Sequence, residues 1–371
     1  MNIGIPKEIK NNENRVSILP FGVEELVKNG HKIFIENNAG LGSGITNDDY
    51  QNVGANIVET PQDVFQNSDI IIKVKEPMPS EVKLIREDQI VFTYFHFAAN
   101  KELTDGMCDN GSISIAYETV QDSSGKLPLL IPMSEVAGRM SVQNGAKCLE
   151  ANMGGAGKLL SGVPGVEPAT VCILGGGVVG SNAAKLAAGL GAKVYILDID
   201  SDRLKYLDDI MPPNVITLNS NKHTIMELLK NTDLLIGGVL LVGAKAPNLV
   251  DRSMLSMMKK RSVIIDVAVD QGGCVETCRP TTHADPIYEV DGIIHYCVTN
   301  MPGSVPYTST IALANATFPY IKEIVNNGYK NALRDNESLL KGLNIFKGKI
   351  THAGVANSFN YNYADPLPLL K

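Results

Sequence analysis

Short apolar runs alternate with amphipathic stretches along most of the chain. In the first third, six runs have strand character, and the stretches between them repeat their apolar positions with helical spacing. The predicted strands are Asn2–Ile5, Lys32–Glu36, Asn56–Val58, Ile70–Val74, Ile90–Tyr94 and Ser112–Ala116. Such alternation is typical of a parallel sheet with helices on both faces.

A second alternating series begins near residue 170. Its predicted strands are Thr170–Leu174, Lys193–Leu197, Val215–Leu218, Leu234–Gly237, Val263–Val267 and Ile293–Val298. Six strands of this kind fit a doubly wound fold, for which we expect the strand order 3-2-1-4-5-6.

The run Gly175–Gly180 links the first two strands of this second series. It reads Gly-Gly-Gly-Val-Val-Gly and is followed by a helical stretch and a strand that ends on Asp198. This is the dinucleotide fingerprint G-x-G-x-x-G in the context that it requires. Gly175 permits a tight turn, Gly177 lets a pyrophosphate approach the backbone, and Gly180 lets helix and strand pack closely. The pattern predicts that NAD binds here, with Asp198 accepting hydrogen bonds from the adenosine ribose.

Long helical patterns flank the nucleotide-binding series, at residues 134–152 and 308–327. They would carry the chain out of one domain and back into it. We therefore predict an α/β fold of two doubly wound domains linked by long helices. An NAD-binding Rossmann domain, residues 127–306, would be inserted into a Rossmann-like substrate domain formed by residues 1–126 and 307–371.

The composition is that of a globular protein. The chain has 371 residues, of which 44% are hydrophobic and 20% are charged, enough for two domains with sizeable cores. The net charge of −7 comes without a long basic run, which argues against nucleic acid or an anionic membrane as a partner. We see neither a signal peptide nor an apolar run of transmembrane length, so we expect a cytoplasmic protein.

The cysteines predict neither disulfides nor a metal site. Six are scattered along the chain, which in a protein this long suggests reduced thiols. Cys274 and Cys278 lie near His283 but lack a second close pair, so we interpret them as loop cysteines and expect no metal. The run Gly154–Lys158 resembles a phosphate loop, but it lacks the required first glycine and the Ser or Thr after the lysine.

Three side chains at predicted strand ends of the first domain are candidates for substrate chemistry, because ligands of open α/β sheets bind there. Arg15 lies after the first strand and could hold a carboxylate through two parallel hydrogen bonds. Lys75 follows the fourth strand and could polarise a carbonyl, and His96 follows the fifth and could move a proton. Taken alone, Arg15 and Lys75 are equally well explained as solvated charges, and His96 as a half-buried histidine. Their coincidence at one sheet edge favours a function.

In the second domain, polar side chains follow the fifth and sixth predicted strands. Asp266 and Asp270 bracket the end of the fifth strand, and Asn300 follows the sixth. We expect Asp270 and Asn300 to face the nicotinamide end of the cofactor. Asp270 alone could equally be a turn-stabilising residue, since it lies beside glycines.

The chain resembles the alanine dehydrogenases from end to end. The resemblance rests on the motifs Gly4–Glu8, Asn14–Val16, Lys73–Pro77, Phe92–His96, Pro132–Gly138, Gly175–Gly180, Asp266–Gly273 and Asn300–Gly303. It implies reversible oxidative deamination, in which L-alanine, water and NAD⁺ give pyruvate, ammonium and NADH. It also implies a homohexamer. On matching positions, Arg15 and Lys75 would bind substrate, while His96 and Asp270 would be catalytic.

The resemblance also implies a set of residues that line the NAD site. Arg203 stands where the family often has lysine, and either cation suits a surface role. The implied residues, with those of the fingerprint, are Ser134, Gly175, Gly177, Val178, Val179, Gly180, Asp198, Arg203, Ser220, Val239, Leu240, Val267, Ala268, Val269, Asp270, Arg279, Val298, Thr299, Asn300 and Met301.

Two other functions compete with a free-standing dehydrogenase. One is the nucleotide-binding subunit of a membrane proton-translocating transhydrogenase. That subunit typically carries an Arg-x-x-Arg-Ala-Gln loop before the linker helix and an aromatic residue in place of His96, and this chain has neither. The other is a non-catalytic NAD-binding regulator, against which the presence of Arg15, Lys75 and His96 argues. Saccharopine-type dehydrogenases share the architecture but match the motifs less well.

Overall fold

A computed structural model of the protein describes residues 1–239 and 247–371. It contains the following strands. They are β1 Asn2–Ile5, β2 Lys32–Glu36, β3 Asn56–Val58, β4 Ile70–Ile72, β5 Ile90–Thr93, β6 Ile113–Ala116, β7 Thr170–Leu174, β8 Lys193–Asp198, β9 Val215–Asn219, β10 Leu234–Gly237, β11 Val263–Asp266, β12 Ile287–Val290, β13 Ile293–Tyr296, β14 Leu343–Phe346 and β15 Lys349–Ile350.

The helices alternate with these strands over most of the chain. They are α1 Pro20–Lys28, α2 Asn47–Gln51, α3 Pro61–Asn67, α4 Pro79–Val82, α5 Lys101–Asp109, α6 Ile131–Cys148, α7 Val178–Gly189, α8 Ser201–Ile210, α9 Lys222–Leu229, α10 Pro306–Asn327, α11 Tyr329–Asp335, α12 Glu337–Lys341, α13 Ala353–Phe359 and α14 Pro366–Leu369.

The chain forms two compact units. The first unit comprises Met1–Met133 and Val305–Lys371, and the second comprises Ser134–Ser304. The first limit lies inside helix α6, and the second lies just before helix α10. The predicted domain limits, 126/127 and 306/307, differ from these by seven and two residues. The assignment of substrate and cofactor to the two domains stays a prediction.

The first unit is built on a sheet with the order β15-β14-β6-β5-β4-β1-β2-β3. Strands β1 to β6 pair in parallel, as the sequence predicts, and their order repeats the doubly wound arrangement. The C-terminal strands β14 and β15 extend the sheet antiparallel to β6 and to each other. The inner strands β4, β5 and β6 are buried along their whole length, because helices cover both faces of a parallel sheet.

The second unit is built on a sheet with the order β12-β13-β11-β10-β7-β8-β9. This confirms the predicted order 3-2-1-4-5-6, and β12 adds an antiparallel edge strand beside β13. The turn between them is Asp291-Gly292, with φ of +52° and +81°. Two central residues with positive φ are what a tight antiparallel hairpin requires, and an Asp-Gly pair accepts them readily. The fold class, α/β with two doubly wound units, is therefore as predicted.

The described residues also bear on a membrane location. Within 1–239 and 247–371, no helix is both long and apolar enough to cross a bilayer.

Candidate functional site

The glycine loop after β7 has the geometry that a dinucleotide site needs. Gly175 has a φ of +95°, in the region that disfavours side chains, and its N–H donates to Leu197 O at 2.8 Å. A Cβ at Gly180 would overlap the carbonyl oxygen of Gly175, so only glycine allows this close approach. A Cβ at Gly177 would meet no protein atom within 4 Å. The backbone at Gly177 is therefore open to a ligand.

The N-terminus of helix α7 faces this open position. Gly177 is the residue that precedes the helix, and no side chain caps it there. The first N–H groups of a helix lack partners within the helix, and together with the helix dipole they favour an anion. These residues therefore fit the pyrophosphate of a dinucleotide.

Asp198 and Arg203 hold the glycine loop from one side. Asp198 Oδ2 accepts the N–H of Gly176 at 2.6 Å, and Arg203 Nε donates to the carbonyl oxygen of Gly176 at 2.6 Å. The Arg203 guanidinium also lies over the ring of Tyr206, 5.0 Å from its centroid. Both side chains are half-buried. Asp198 thus orders the loop, a role that the sequence argument did not assign to it.

The loop after β11 is organised around a buried carboxylate. Asp266 is fully buried and accepts N–H bonds from Ala268 at 3.0 Å, Cys274 at 2.7 Å and Val275 at 3.2 Å. Burial raises the pKa of Asp266 to about 6, although these N–H bonds act to lower it. The chain returns through Gly272 and Gly273, which have φ of +102° and +73°. Asp266 is therefore structural.

Asp270 lies on the loop that Asp266 supports. It occupies a single 3₁₀ turn, Val269–Gln271, and is exposed. Asn300 follows β13 and has a φ of +60°, and His283 Nε2 lies 3.1 Å from its carbonyl oxygen. Both predicted polar residues therefore follow strands of the same parallel set, β11 and β13.

Other predicted cofactor residues lie in several elements of the second unit. Ser134 lies in helix α6, and Ser220 N donates to Asp198 O at 2.9 Å. Arg279 lies over the ring of Tyr288 at 4.3 Å, and Thr299 N donates to Thr281 O at 3.2 Å. Val239 follows β10, but Leu240 lies outside the described residues.

In the first unit, Arg15 is buried against a carboxylate. Only 2% of its surface is exposed. Its Nε and Nη2 donate to the two oxygens of Glu13 at 2.7 and 2.5 Å, and its Nη1 lies 2.9 Å from Met133 Sδ. Burial acts against the charged guanidinium, but the bonds and charge of Glu13 outweigh it, so the pKa of Arg15 is raised. The guanidinium is thus held in one orientation by Glu13.

Lys75 is fixed through its backbone. Glu8 Oε1 accepts the N–H of Val74 at 2.6 Å and that of Lys75 at 3.2 Å. Burial lowers the pKa of the Lys75 ammonium, and the nearby charge of Arg15 lowers it further. The pKa of the half-buried Lys75 is therefore shifted in the opposite direction from that of the neighbouring Lys73.

Lys73 is fully buried and forms ion pairs with two carboxylates. Its Nζ lies 3.1 Å from Glu8 and 2.7 Å from Glu81. Burial alone would lower its pKa, but the two carboxylates raise it. Lys73 therefore anchors the Glu8 carboxylate that supports Lys75.

His96 is exposed at the end of β5, in a backbone conformation with φ of +54° and ψ of +38°. Its N–H donates to Glu118 Oε1 at 2.6 Å. Its ring stacks with that of Tyr94, with centroids 6.0 Å apart and planes 7° apart. Tyr94 in turn donates from its hydroxyl to Leu129 O at 2.5 Å.

The structure connects these three candidates through the strand ends. Thr93 Oγ1, on β5, donates to Lys75 O at 2.9 Å. The charge of Arg15 acts on both Lys75 and the Tyr94 phenol. Arg15, Lys75 and His96 therefore share one edge of the first sheet. The sequence argument gave no role to their carboxylate partners Glu8, Glu13 and Glu118. Glu8 and Glu118 each follow a predicted strand, which is a signal that could have found them, whereas Glu13 carries none.

Cys274 and Cys278 lie near His283 in the sequence, with a spacing that resembles that of metal ligands. Among the residues that the structure describes, no three His, Cys, Asp or Glu side chains are grouped so that they could hold a metal ion. Cys274 is buried, Cys278 is half-buried, and both are free thiols.

Comparison with known families decides what these two units belong to. A family model described as "Alanine dehydrogenase/PNT, N-terminal domain" matches residues 4–137, and the corresponding C-terminal domain model matches residues 141–353. The chain belongs to the alanine dehydrogenase/PNT family. It is accordingly an oxidoreductase.

Relatives within this family match over the full chain. An alanine dehydrogenase of Methanococcus maripaludis is 56% identical over 98% of both chains. One of Bacillus subtilis is 52% identical over 98% of this chain and 96% of its own length. A solved L-alanine dehydrogenase superposes with a TM-score of 0.94 at 49% identity and full coverage of both chains.

A transhydrogenase from Sinorhizobium meliloti has a similar fold. It gives a TM-score of 0.80 at 24% identity, over 95% of this chain and 99% of its own. At that identity the likeness concerns the fold alone.

Proposed function

We propose that the chain catalyses the reversible, NAD-dependent oxidative deamination of L-alanine to pyruvate and ammonium. The observation that carries this proposal is the set formed by Arg15, Lys75 and His96 on one sheet edge, in a chain whose full-length relatives are alanine dehydrogenases. The second unit fits a dinucleotide at the glycine loop.

The specific cofactor proposed is NAD. Asp198 would accept hydrogen bonds from the two ribose hydroxyls, and a 2′-phosphate would meet its negative charge. When bound, NAD supplies the hydride acceptor for the alanine α-carbon and NADH the donor for the reverse reaction. The residues predicted above would line its site.

Arg15 would hold the substrate carboxylate. Its Nη1 lies against Met133 Sδ, and a thioether is a weak acceptor. A carboxylate is a much stronger one, and Glu13 already fixes the orientation of the guanidinium. Substrate would therefore meet a cation that needs little reorganisation.

Lys75 and His96 would act at the reacting carbon. Lys75 would donate to the carbonyl oxygen of pyruvate, and this bond would strengthen as negative charge develops there. His96 would donate the proton with which water leaves after ammonia has attacked. Asp270 would order ammonia or stabilise the cationic imine.

We also propose a homohexamer in the cytoplasm. The end-to-end similarity to alanine dehydrogenases supports the assembly. The free state of all six cysteines is consistent with a reducing compartment.

The test is an assay of NADH oxidation with pyruvate and ammonium, followed by identification of the product. We expect alanine as the product, no oxidation without ammonium, and lower rates with larger 2-oxo acids. Oxidation that continues without ammonium and gives lactate would contradict the proposal, as would failure to turn over pyruvate.

A further inference from the structure

The backbone at His96 is in a conformation that L-residues disfavour. Its φ of +54° and ψ of +38° lie in the left-handed region. Phe97–Ala99 then form a 3₁₀ turn, so His96 is the point at which β5 turns into that helix. A strained backbone of this kind persists only where surrounding contacts hold it.

Glu118 supplies those contacts with its carboxylate. Oε1 accepts the His96 N–H at 2.6 Å, and both oxygens lie 3.2 Å from the Phe95 nitrogen, which donates to them. Hydrogen bonds from backbone N–H groups to an ionised carboxylate are stronger than neutral ones. Glu118 follows β6, the strand next to β5, so the carboxylate arrives from a neighbouring strand end.

The side chains on either side of His96 are already fixed by packing. Tyr94 is buried and bonded to Leu129 O, while the buried rings of Phe95 and Phe97 stack with centroids 4.3 Å apart. The imidazole itself is exposed. Its direction therefore depends on the backbone dihedrals that Glu118 holds, together with the stacking of the ring on Tyr94.

We propose that Glu118 is a positioning residue that aims the His96 imidazole at the substrate. This rests on the catalytic role proposed for His96. Glu118 acts through main-chain N–H groups, so it needs no contact with substrate. Misplacing a catalytic group by about 1 Å costs on the order of 10² in rate, which sets the scale of the effect.

The test is a double-mutant cycle on turnover of pyruvate, ammonium and NADH. Glu118→Ala removes the acceptor, and we expect kcat to fall by about 10- to 100-fold with the KM for pyruvate and the affinity for NADH little changed. Glu118→Gln keeps one oxygen that can accept the His96 N–H and should lose less than Glu118→Ala. In a His96→Ala background, Glu118→Ala should change kcat by less than about twofold, because coupled residues are not additive.

Asp122 provides a matched control. It is also a half-buried carboxylate of the first unit, and its Oδ1 accepts the N–H groups of Ser124 at 2.8 Å and Lys126 at 2.9 Å. Asp122→Ala should leave kcat unchanged. If Glu118→Ala fails to fold, the cycle runs with Glu118→Gln.

The outcomes separate this proposal from the proposed function. If His96→Ala loses most of its turnover but Glu118→Ala keeps wild-type kcat, or costs the same factor in both backgrounds, the positioning role is wrong and the catalytic role of His96 stands. If His96→Ala itself keeps normal turnover, the catalytic role fails and the positioning role fails with it.

Discussion

The charge of Arg15 lies where water is almost excluded, and the Glu13 carboxylate compensates it. Breaking a buried ion pair by removing one partner leaves the other charge uncompensated, which costs about 3–5 kcal/mol. We expect Arg15→Met to lower the thermal midpoint and to abolish saturable use of pyruvate. Calorimetry and pyruvate kinetics measure the two effects.

A double variant separates these two effects. Glu13→Gln with Arg15→Met removes both charges, so the thermal midpoint should recover in part while the use of pyruvate stays lost. Normal saturation with pyruvate in either variant would show that Arg15 does not bind substrate.

His96 is expected to act in the chemical step rather than in cofactor binding, because it lies in the first unit and the glycine loop in the second. We expect His96→Asn to lower kcat by about 10²–10⁴, the usual effect of losing a positioned acid or base. The affinity for NADH, measured by fluorescence titration, should be nearly unchanged. Near-normal turnover over the whole pH range would remove His96 from the mechanism.

Asp198 is expected to set the preference for NADH over NADPH. Asp198→Ala should weaken the use of NADH, because both the ribose contacts and the 2.6 Å bond to Gly176 are lost. It should also reduce the difference in kcat/KM between NADH and NADPH, since the negative charge that repels the 2′-phosphate is gone. The ratio of kcat/KM values measures this.

Arg203 provides the comparison for Asp198. Arg203→Ala loses the other bond to Gly176 but leaves the carboxylate in place. It should therefore weaken NADH use without reducing the difference in kcat/KM between NADH and NADPH. Equal efficiency of the unsubstituted enzyme with both cofactors would be incompatible with this account.

Among the elements, the loop after β11 should respond to pH through Asp266. Its pKa is about 6 when folded, against an ordinary value of 3.8. Between these values the folded protein holds a proton that the unfolded chain has lost. The stabilisation is complete below about pH 4 and is lost as the pH rises through about 6, with a size on the order of 3 kcal/mol.

Asp266→Asn lacks this titration and serves as the reference. The thermal midpoint of the unsubstituted protein, relative to that of Asp266→Asn, should fall as the pH rises from about 4 to about 7. A difference that stays constant, or rises, over this range would mean that Asp266 ionises with an ordinary or lowered pKa.

The regular elements of the fold were predictable because short apolar runs alternate with amphipathic stretches through both units. The strands from β1 to β11 appear at or near their predicted positions, and β13 likewise. Strands β14 and β15 were not predicted, because β14 is interrupted by the polar Asn344 and β15 has only 2 residues. Strand β12 was missed although the Asp291-Gly292 turn is a recognisable hairpin signal.

The candidate site was predictable only in part. Arg15, Lys75 and His96 follow strands, so topology places them. Glu13 and Glu8 lie in loops whose charges look solvated in the sequence, and only tertiary packing buries them. The left-handed backbone of His96 has no clear sequence signal, because few residues other than glycine adopt it, even though histidine does so more often than most.

At the scale of the whole molecule, the second unit has its own sheet and core. Its buried residues include Leu174, Leu235 and Ile264, which belong to one apolar cluster. We expect residues 131–304, which retain all of helix α6, to fold alone and bind NADH without turnover. Circular dichroism and fluorescence titration measure this.

The control for that fragment is Gly177→Val. A Cβ at this position meets no protein atom within 4 Å, but the valine side chain would occupy the space proposed for the pyrophosphate. The substituted fragment should fold equally well and bind NADH much more weakly. Unchanged binding would place the cofactor elsewhere, and an unfolded parent fragment would show that the second unit needs the rest of the chain.

The pairing of β14 with β6 has a consequence for biosynthesis. Leu343 pairs with Ile115, so the two strands are separated in sequence by the entire second unit. A ribosome releases β6 long before β14, and the nascent chain must hold an apolar, hydrogen-bonding strand edge without its neighbour during that interval. Exposed edges of this kind recruit other chains. We therefore expect newly made protein to need chaperones most during the interval between synthesis of the two strands.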